Sequence, residues 1–261
     1  MSDKNNRKSP LTFTAIILLG FAPGLFWLWY FYKKDKLEPE PKSYIIKTFC
    51  LGMLAAIISA VFEMPFGEYT ILSVVLVAPA VEEFVKFSVV RVTMYNNVEF
   101  DEPMDGIMYA ASAALGFASL ENSLYLLGNF GLPLSDLVTP LPDHQPIGFF
   151  SLFVTRAFLS VPGHVLFSSM WGYALGWAKF MDKGARFRFI LQGYILAVAM
   201  HGCFNFLAIS STYGALFLVV FIIIMWKLVG KRIHLALAGS PHIKKEGYEP
   251  LNEMVQNRNE E

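Results

Sequence analysis

The stretch Ala78–Val90, APAVEEFVKFSVV, puts Glu82, Glu83 and Lys86 inside an otherwise apolar run. Glu82 and Lys86 are four residues apart and Glu83 and Lys86 three, so either pair can meet on one face of a helix. Three other apolar runs carry polar groups of the same kind. GFASLEN holds Glu121 and Asn122, RAFLSVPGH holds Arg156 and His164, and MHGCFNF holds His201 and Asn205 at i,i+4. A carboxylate can act as a general base, imidazoles can bind a metal or orient a water, and a side-chain amide can hold an oxyanion. Two carboxylates and two imidazoles in one layer are the ingredients of a metal site or of a water activated by glutamate. HExxH does not occur, which excludes a conventional zincin helix but not a Glu/His site assembled from separate helices.

The elements that must position these groups are membrane helices. Of 261 residues, 55% are hydrophobic and 16% charged, and the mean hydropathy is +0.47. A spanning helix needs roughly 20 mostly apolar residues. Seven segments qualify, at about 11–32, 44–62, 70–92, 104–129, 150–179, 187–209 and 212–229. The sequence therefore predicts an all-α, polytopic membrane helical bundle of about seven transmembrane helices. The fifth segment is over-long, and its start near IGFFSLF is read as an interfacial stretch. Residues 1–230 form the transmembrane domain and 231–261 a polar cytoplasmic tail.

Basic residues set the orientation. KKDKLEPEPK has four lysines, the loop after Ala178 has Lys179, Lys183, Arg186 and Arg188, and the tail has Lys231, Arg232, Lys244 and Lys245. The loops MPFGE, GLPLSDLVTPLPDHQP and STYG have no Lys or Arg. The reading is N-terminus outside and C-terminus cytoplasmic, with Lys4, Arg7 and Lys8 as its one dissenting group. Lys plus Arg equals Asp plus Glu at 21 each, so no basic excess suggests nucleic acid as a partner. Cys50 and Cys203 lie in apolar runs and read as small buried residues rather than a disulfide.

Each charge at the centre of a spanning helix costs about 2.5–3.5 kcal/mol, so the three in segment 3 would cost roughly 8–10 kcal/mol unpaired. They must face protein or water inside the bundle. A rise of 1.5 Å per residue puts Glu121 roughly 13 Å and His201 roughly 12 Å below their outer helix ends, with Glu82 nearer 20 Å. Antiparallel helices thus bring three Glu and two His to a shared layer. A pure scaffold would gain nothing from that desolvation.

These same stretches, EEFVK, EPMDGIMYAASAALGFASLEN, the His164 segment and HGCFNF, resemble the PrsW family of intramembrane proteases, as does APGLFWLWYFYKKDKLEPEP. The resemblance covers roughly residues 20–230 and extends, more distantly, to the CAAX prenyl endopeptidases. It implies hydrolysis of a peptide bond in a membrane-anchored protein substrate, of the site-1 type known for anti-sigma factors, within the lipid bilayer. By position, Glu82 and Glu83 match the catalytic pair, and Glu121, His164 and His201 the other polar positions. Two mechanisms stay open. In one, Glu83, His164 and His201 hold a divalent metal such as zinc; in the other, a glutamate activates water with no metal. In either, Glu82 is the favoured base because it is i,i+4 to Lys86, and Asn205 is the oxyanion donor. The rival readings are a proton-coupled transporter and a non-catalytic membrane scaffold. Against the transporter, the sequence has no paired half-repeats with matched broken helices.

Overall fold

A computed structural model describes residues 10–66, 70–130, 148–210 and 212–243, and every regular element among them is helical. The helices are α1 (Pro10–Tyr32), α2 (Lys42–Glu63), α3 (Ala78–Thr93), α4 (Pro103–Asn129), α5 (Phe149–Ala178), α6 (Lys183–Ile209) and α7 (Thr212–Ala238). Of these, α1, α2, α5, α6 and α7 are long and apolar enough to cross a membrane. The other two, α3 with its charged trio and α4 with its small-residue run AASAALGFAS, carry the polar and close-packed interior.

The architecture follows from α4. From Pro103 to Ser119 it is buried on every face, as the axis of the bundle, and α1, α2 and α5 pack around it. Small residues permit that approach, as is usual between helices in lipid. A Cβ on Gly106 would collide with the backbone of Gly172 and Gly176, and one on Gly176 with the carbonyl of Pro103. The motif GYALG on α5 is thus the seam against α4. The outward faces of α1, α2 and α7 are apolar and exposed, with Leu18, Trp29, Ile46, Ile57, Phe62 and Ile223 among the large side chains there. Such surfaces are at home against lipid tails.

Two π turns, one leading into α3 and one inside α5, each end just before a proline. Ser73–Val77 precedes Ala78-Pro79, and Arg156–Ser160 precedes Val161-Pro162. Proline has no N–H to donate and crowds the carbonyl four residues back, and the π turn absorbs both faults. The freed carbonyls find side-chain donors on neighbouring helices. Asn205 Nδ2 donates to the Val74 carbonyl at 3.0 Å and Trp27 Nε1 to the Ala157 carbonyl at 3.0 Å. Apart from these, Tyr194 Oη on α6 donates to the Ala80 carbonyl of α3 at 2.7 Å. Gly202 lets α6 lie directly on the first π turn, since a Cβ there would meet the Val75 carbonyl.

The structure departs from the sequence reading in three places. The last helix runs to Ala238 rather than ending near residue 229, so the polar stretch from Lys231 begins as helix. The segment near IGFFSLF, read as interfacial, is the start of one 30-residue helix, continuous through its π turn. Cys50 and Cys203 are exposed rather than buried, on the outer faces of α2 and α6. Sulfur is apolar enough to face lipid, so an apolar run does not tell an inward cysteine from an outward one. The loop GLPLSDLVTPLPDHQP, residues beyond 243, and Lys4, Arg7 and Lys8 lie outside the described residues.

Candidate active site

The polar residues of four apolar helices meet in one network. Lys86, fully buried, lies 2.7 Å from Glu83 Oε1, 3.4 Å from Glu82 Oε2 and 3.3 Å from His164 Nδ1. Its ammonium also sits 4.4 Å from the centre of the Phe117 ring. The lysine has three donors, and each has a partner. On the far side, Arg156 Nη2 is 2.8 Å from Glu121 Oε2, and its Nε donates to Asn122 Oδ1 at 3.0 Å. Asn122 in turn donates to the Gly20 carbonyl at 2.9 Å, which ties the network to α1.

The two adjacent glutamates have opposite surroundings. Glu83 points into the bundle and has no exposed surface. Its Oε1 takes Lys86 and, at 3.2 Å, His201 Nδ1, while its Oε2 accepts from Ser168 Oγ at 2.7 Å and Trp171 Nε1 at 2.9 Å. Its acceptor sites are filled. Glu82 lies one residue round the helix, at the wall of a cavity of about 610 Å³ that also reaches Glu63, Glu121, His164, His201 and Asn205. Ser168 and Trp171 stand four and seven residues after His164, on its own helix face. That spacing was the signal that could have found them.

The imidazole tautomers follow from their partners. His164 Nε2 faces Glu121 Oε2 at 2.9 Å. A carboxylate only accepts, so Nε2 carries the proton and Nδ1 keeps its lone pair, which faces Lys86 and Glu82. His201 Nδ1 faces Glu83, so it carries the proton and leaves Nε2 bare. Glu82 Oε2 is 3.7 Å from His164 Nδ1 and 3.9 Å from His201 Nε2. Three acceptors, one carboxylate oxygen and two ring lone pairs, therefore converge, with the Lys86 ammonium beside two of them, 3.4 Å from Glu82 Oε2 and 3.3 Å from His164 Nδ1.

This set fits a divalent metal. Ligand-capable atoms of Glu82, His164 and His201 all lie within 4.8 Å of one another. Bonds of about 2.0–2.1 Å in a tetrahedron put ligand atoms about 3.4 Å apart, close to the separations above. In metal sites a ligating His typically donates its other N–H to a carboxylate, and both imidazoles do so. Among the described residues, Glu63, Glu82, Glu83 and Glu121 share this region with the side-chain cations Lys86 and Arg156.

Set against the sequence expectations, Glu82, Glu83, Lys86, Glu121, His164 and His201 come together. Ligand-capable atoms of Glu82, His164 and His201 lie together, whereas Glu83 meets His201 Nδ1 at 3.2 Å and accepts from Lys86, Ser168 and Trp171. Asn205 lines the cavity, but one donor of its amide is engaged with the Val74 carbonyl. Glu63 is the last residue of α2. It lines the cavity with a buried, unpartnered Oε1. A single acid at the end of an apolar run gave no signal of that.

Residues 40–229 match the description "PrsW family intramembrane metalloprotease". A protein named Protease PrsW from Geobacillus kaustophilus is 36% identical over 222 residues, covering 81% of this chain and 88% of that protein. Proteins of the same name from Bacillus subtilis and Oceanobacillus iheyensis are 31% and 33% identical, each over 81% of this chain and 91% of theirs. No solved structure matches the chain significantly.

Proposed function

The chain belongs to the PrsW family of intramembrane metalloproteases, and from that premise we propose that it is an endopeptidase whose centre is Glu82, His164 and His201. The observation that carries this reading is the convergence of three acceptors in a cavity, with both imidazoles held by carboxylates. Those three residues would hold a divalent metal, zinc by the character of the donors. Bound there, the metal would supply Lewis-acid activation of a water and of the scissile carbonyl.

The remaining side chains have separable tasks. Glu83 fixes the His201 ring and neutralises Lys86. Glu121, backed by Arg156, fixes the His164 ring. Lys86 places a positive charge between Glu82 and Glu83 and donates to both. Glu63, with an open carboxylate oxygen on the cavity wall, is positioned to exchange a proton with a bound substrate. The outer N–H of Asn205 is the oxyanion donor of this proposal.

The substrate is a membrane-anchored protein, and regulatory cleavage of a single-span anti-sigma factor is the finer form of this reading. Purified chain incubated with a single-span reporter peptide tests the activity. Cleavage that disappears in Glu82→Gln, and with chelator but returns with zinc, is the expected result. Full cleavage by Glu82→Gln would end the assignment of the centre. Chelator-resistant cleavage that still needs Glu82 would select the metal-free glutamate mechanism.

A further inference from the structure

A peptide bond in a spanning helix has its N–H and C=O paired within the helix. Hydrolysis requires that segment to unwind. Each unwound residue then presents one donor and one acceptor that lipid cannot satisfy, so the cavity around the centre must supply their partners.

Two hydroxyls of the cavity are already engaged within their own segments. Ser59 Oγ donates to the Ala56 carbonyl at 3.0 Å and Ser73 Oγ to the Thr70 carbonyl at 2.8 Å. Ser160 differs. It lines the cavity, half-buried, and its hydroxyl has no hydrogen-bond partner among the described residues. The cause is local. Serines in regular turns of this bundle bond back to the carbonyl four residues earlier, as Ser112 does to Met108, Ser119 to Leu115 and Ser169 to Val165. Four residues before Ser160 is Arg156, and in the π turn the Arg156 carbonyl takes the N–H of Val161, five residues on. With the ladder stepped in this way, the Ser160 hydroxyl makes no back-bond and opens to the cavity.

Its place on the helix fixes what it can reach. Ser160 stands one turn before His164 on α5, and Asn205 one turn after His201 on α6. The short connection at 179–182 makes the two helices antiparallel, so both steps lead toward the same end of the bundle. Residues four apart on a helix face have Cβ atoms about 5–6 Å apart. Ser160 and Asn205 therefore flank the cavity from two walls, one turn beyond the imidazoles. The imidazole rings are 5.2 Å apart, so the two walls stand close at this level.

We propose that Ser160 binds the backbone of the unwound substrate segment, holding the peptide group next to the scissile bond while Asn205 meets the scissile carbonyl from the opposite wall. The inference rests on the peptidase reading and adds the form in which the substrate is taken. A hydroxyl, donor and acceptor at once, matches either half of a peptide group. It recognises an exposed main chain rather than a side chain, and a helix that stays closed offers it nothing.

Binding is read apart from cleavage in the Glu82→Gln chain, by fluorescence anisotropy of a labelled single-span reporter peptide in detergent. Adding Ser160→Ala is expected to weaken binding by about 3–10-fold, with Tm unchanged. The factor should be the same for reporters that differ only in side chains around the cleavage site. Ser160→Cys, of similar shape but a weaker donor, should fall between. With Glu82 intact, reporters carrying one backbone ester in place of an amide give a second readout. At one position beside the scissile bond the ester and Ser160→Ala should not add in kcat/KM, a coupling that a merely structural serine would not produce. Unchanged binding and cleavage in Ser160→Ala, or losses that add at every ester position, would overturn the role of Ser160 and leave the peptidase reading standing. Binding that depends on Ser160 in a chain that cleaves no reporter would support this role and count against the peptidase reading alone.

Discussion

Glu83 accepts from Lys86, Ser168, Trp171 and His201, while Glu82 turns its carboxylate to the cavity. This difference separates the outcomes of one conservative substitution made at each. Glu82→Gln keeps the shape and removes the charge at the point of convergence. It is expected to lower kcat/KM by at least ~10²-fold and to deplete bound metal, with insertion intact. Glu83→Gln removes the group that orients His201, for an expected loss of about 10–100-fold with metal still bound more weakly. It also leaves Lys86 buried with a weaker partner, so its Tm should fall where that of Glu82→Gln does not. Kinetics and elemental analysis on the same two preparations decide the matter. A Glu83→Gln chain without metal beside a Glu82→Gln chain with a full equivalent would return the ligand role to Glu83.

At the scale of the element, helix contact here depends on missing side chains and on repaired proline faults. Gly176 lies against the Pro103 carbonyl, whereas a Cβ on Gly230 would meet nothing within 4 Å. Gly176→Ala is therefore expected to destabilise by about 1–3 kcal/mol through overpacking of the α4–α5 seam. Gly230→Ala, in the interior of α7, should stabilise by up to ~1 kcal/mol from helix propensity alone. Thermal melts in detergent distinguish them, and equal shifts of the same sign would refute the seam. The π turn at Ser73–Val77 gives a second test. Asn205→Ala leaves the Val74 carbonyl without its side-chain donor, a cost of about 1–3 kcal/mol that Tm would report, in addition to any loss of activity.

For the whole molecule, Asp35 and Glu40 of the α1–α2 loop and Glu102 and Asp105 at the start of α4 are buried at the other end of the bundle from the active site, and they bear on orientation and on pH. The Lys/Arg asymmetry leads to the proposal that these carboxylates lie at the cytoplasmic end and the 131–147 loop outside. Single cysteines introduced at Asp136 and near Glu261 of a chain lacking Cys50 and Cys203 test it. Labelling of the Asp136 site alone in intact cells is expected, and labelling of the tail alone would invert the arrangement. The pH dependence follows from the two loop acids. Asp35 moves from 3.8 to about 7 and Glu40 from 4.5 to about 8 on folding, because burial disfavours their charged forms. The native state then holds more protons than the unfolded chain between about pH 4 and 8, so stability should fall as pH rises through that window and level off above it. Melts across the range check the sign, and a stability that climbed with pH would show the pair already ionised in the fold.

The helices and their polar residues were legible in the sequence because both obey local rules. Apolar runs of spanning length mark helices, and ionisable groups inside them cannot face lipid, so Glu82, Glu83, Lys86, Glu121, His164 and His201 had to meet. The family was carried by the same motifs in order. Which of two adjacent glutamates joins the imidazoles was not legible. It depends on helix phase, which the proline-driven π turns reset, and on Ser168 and Trp171 arriving from another helix. The exposure of Cys50 and Cys203, the continuation of α7 past Lys231 and the cavity place of Glu63 were equally hidden. The carboxylates of the α1–α2 loop and the start of α4 carried no burial signal in the sequence. Only packing showed them buried together, because desolvation is a property of what surrounds a residue and not of its neighbours in the chain.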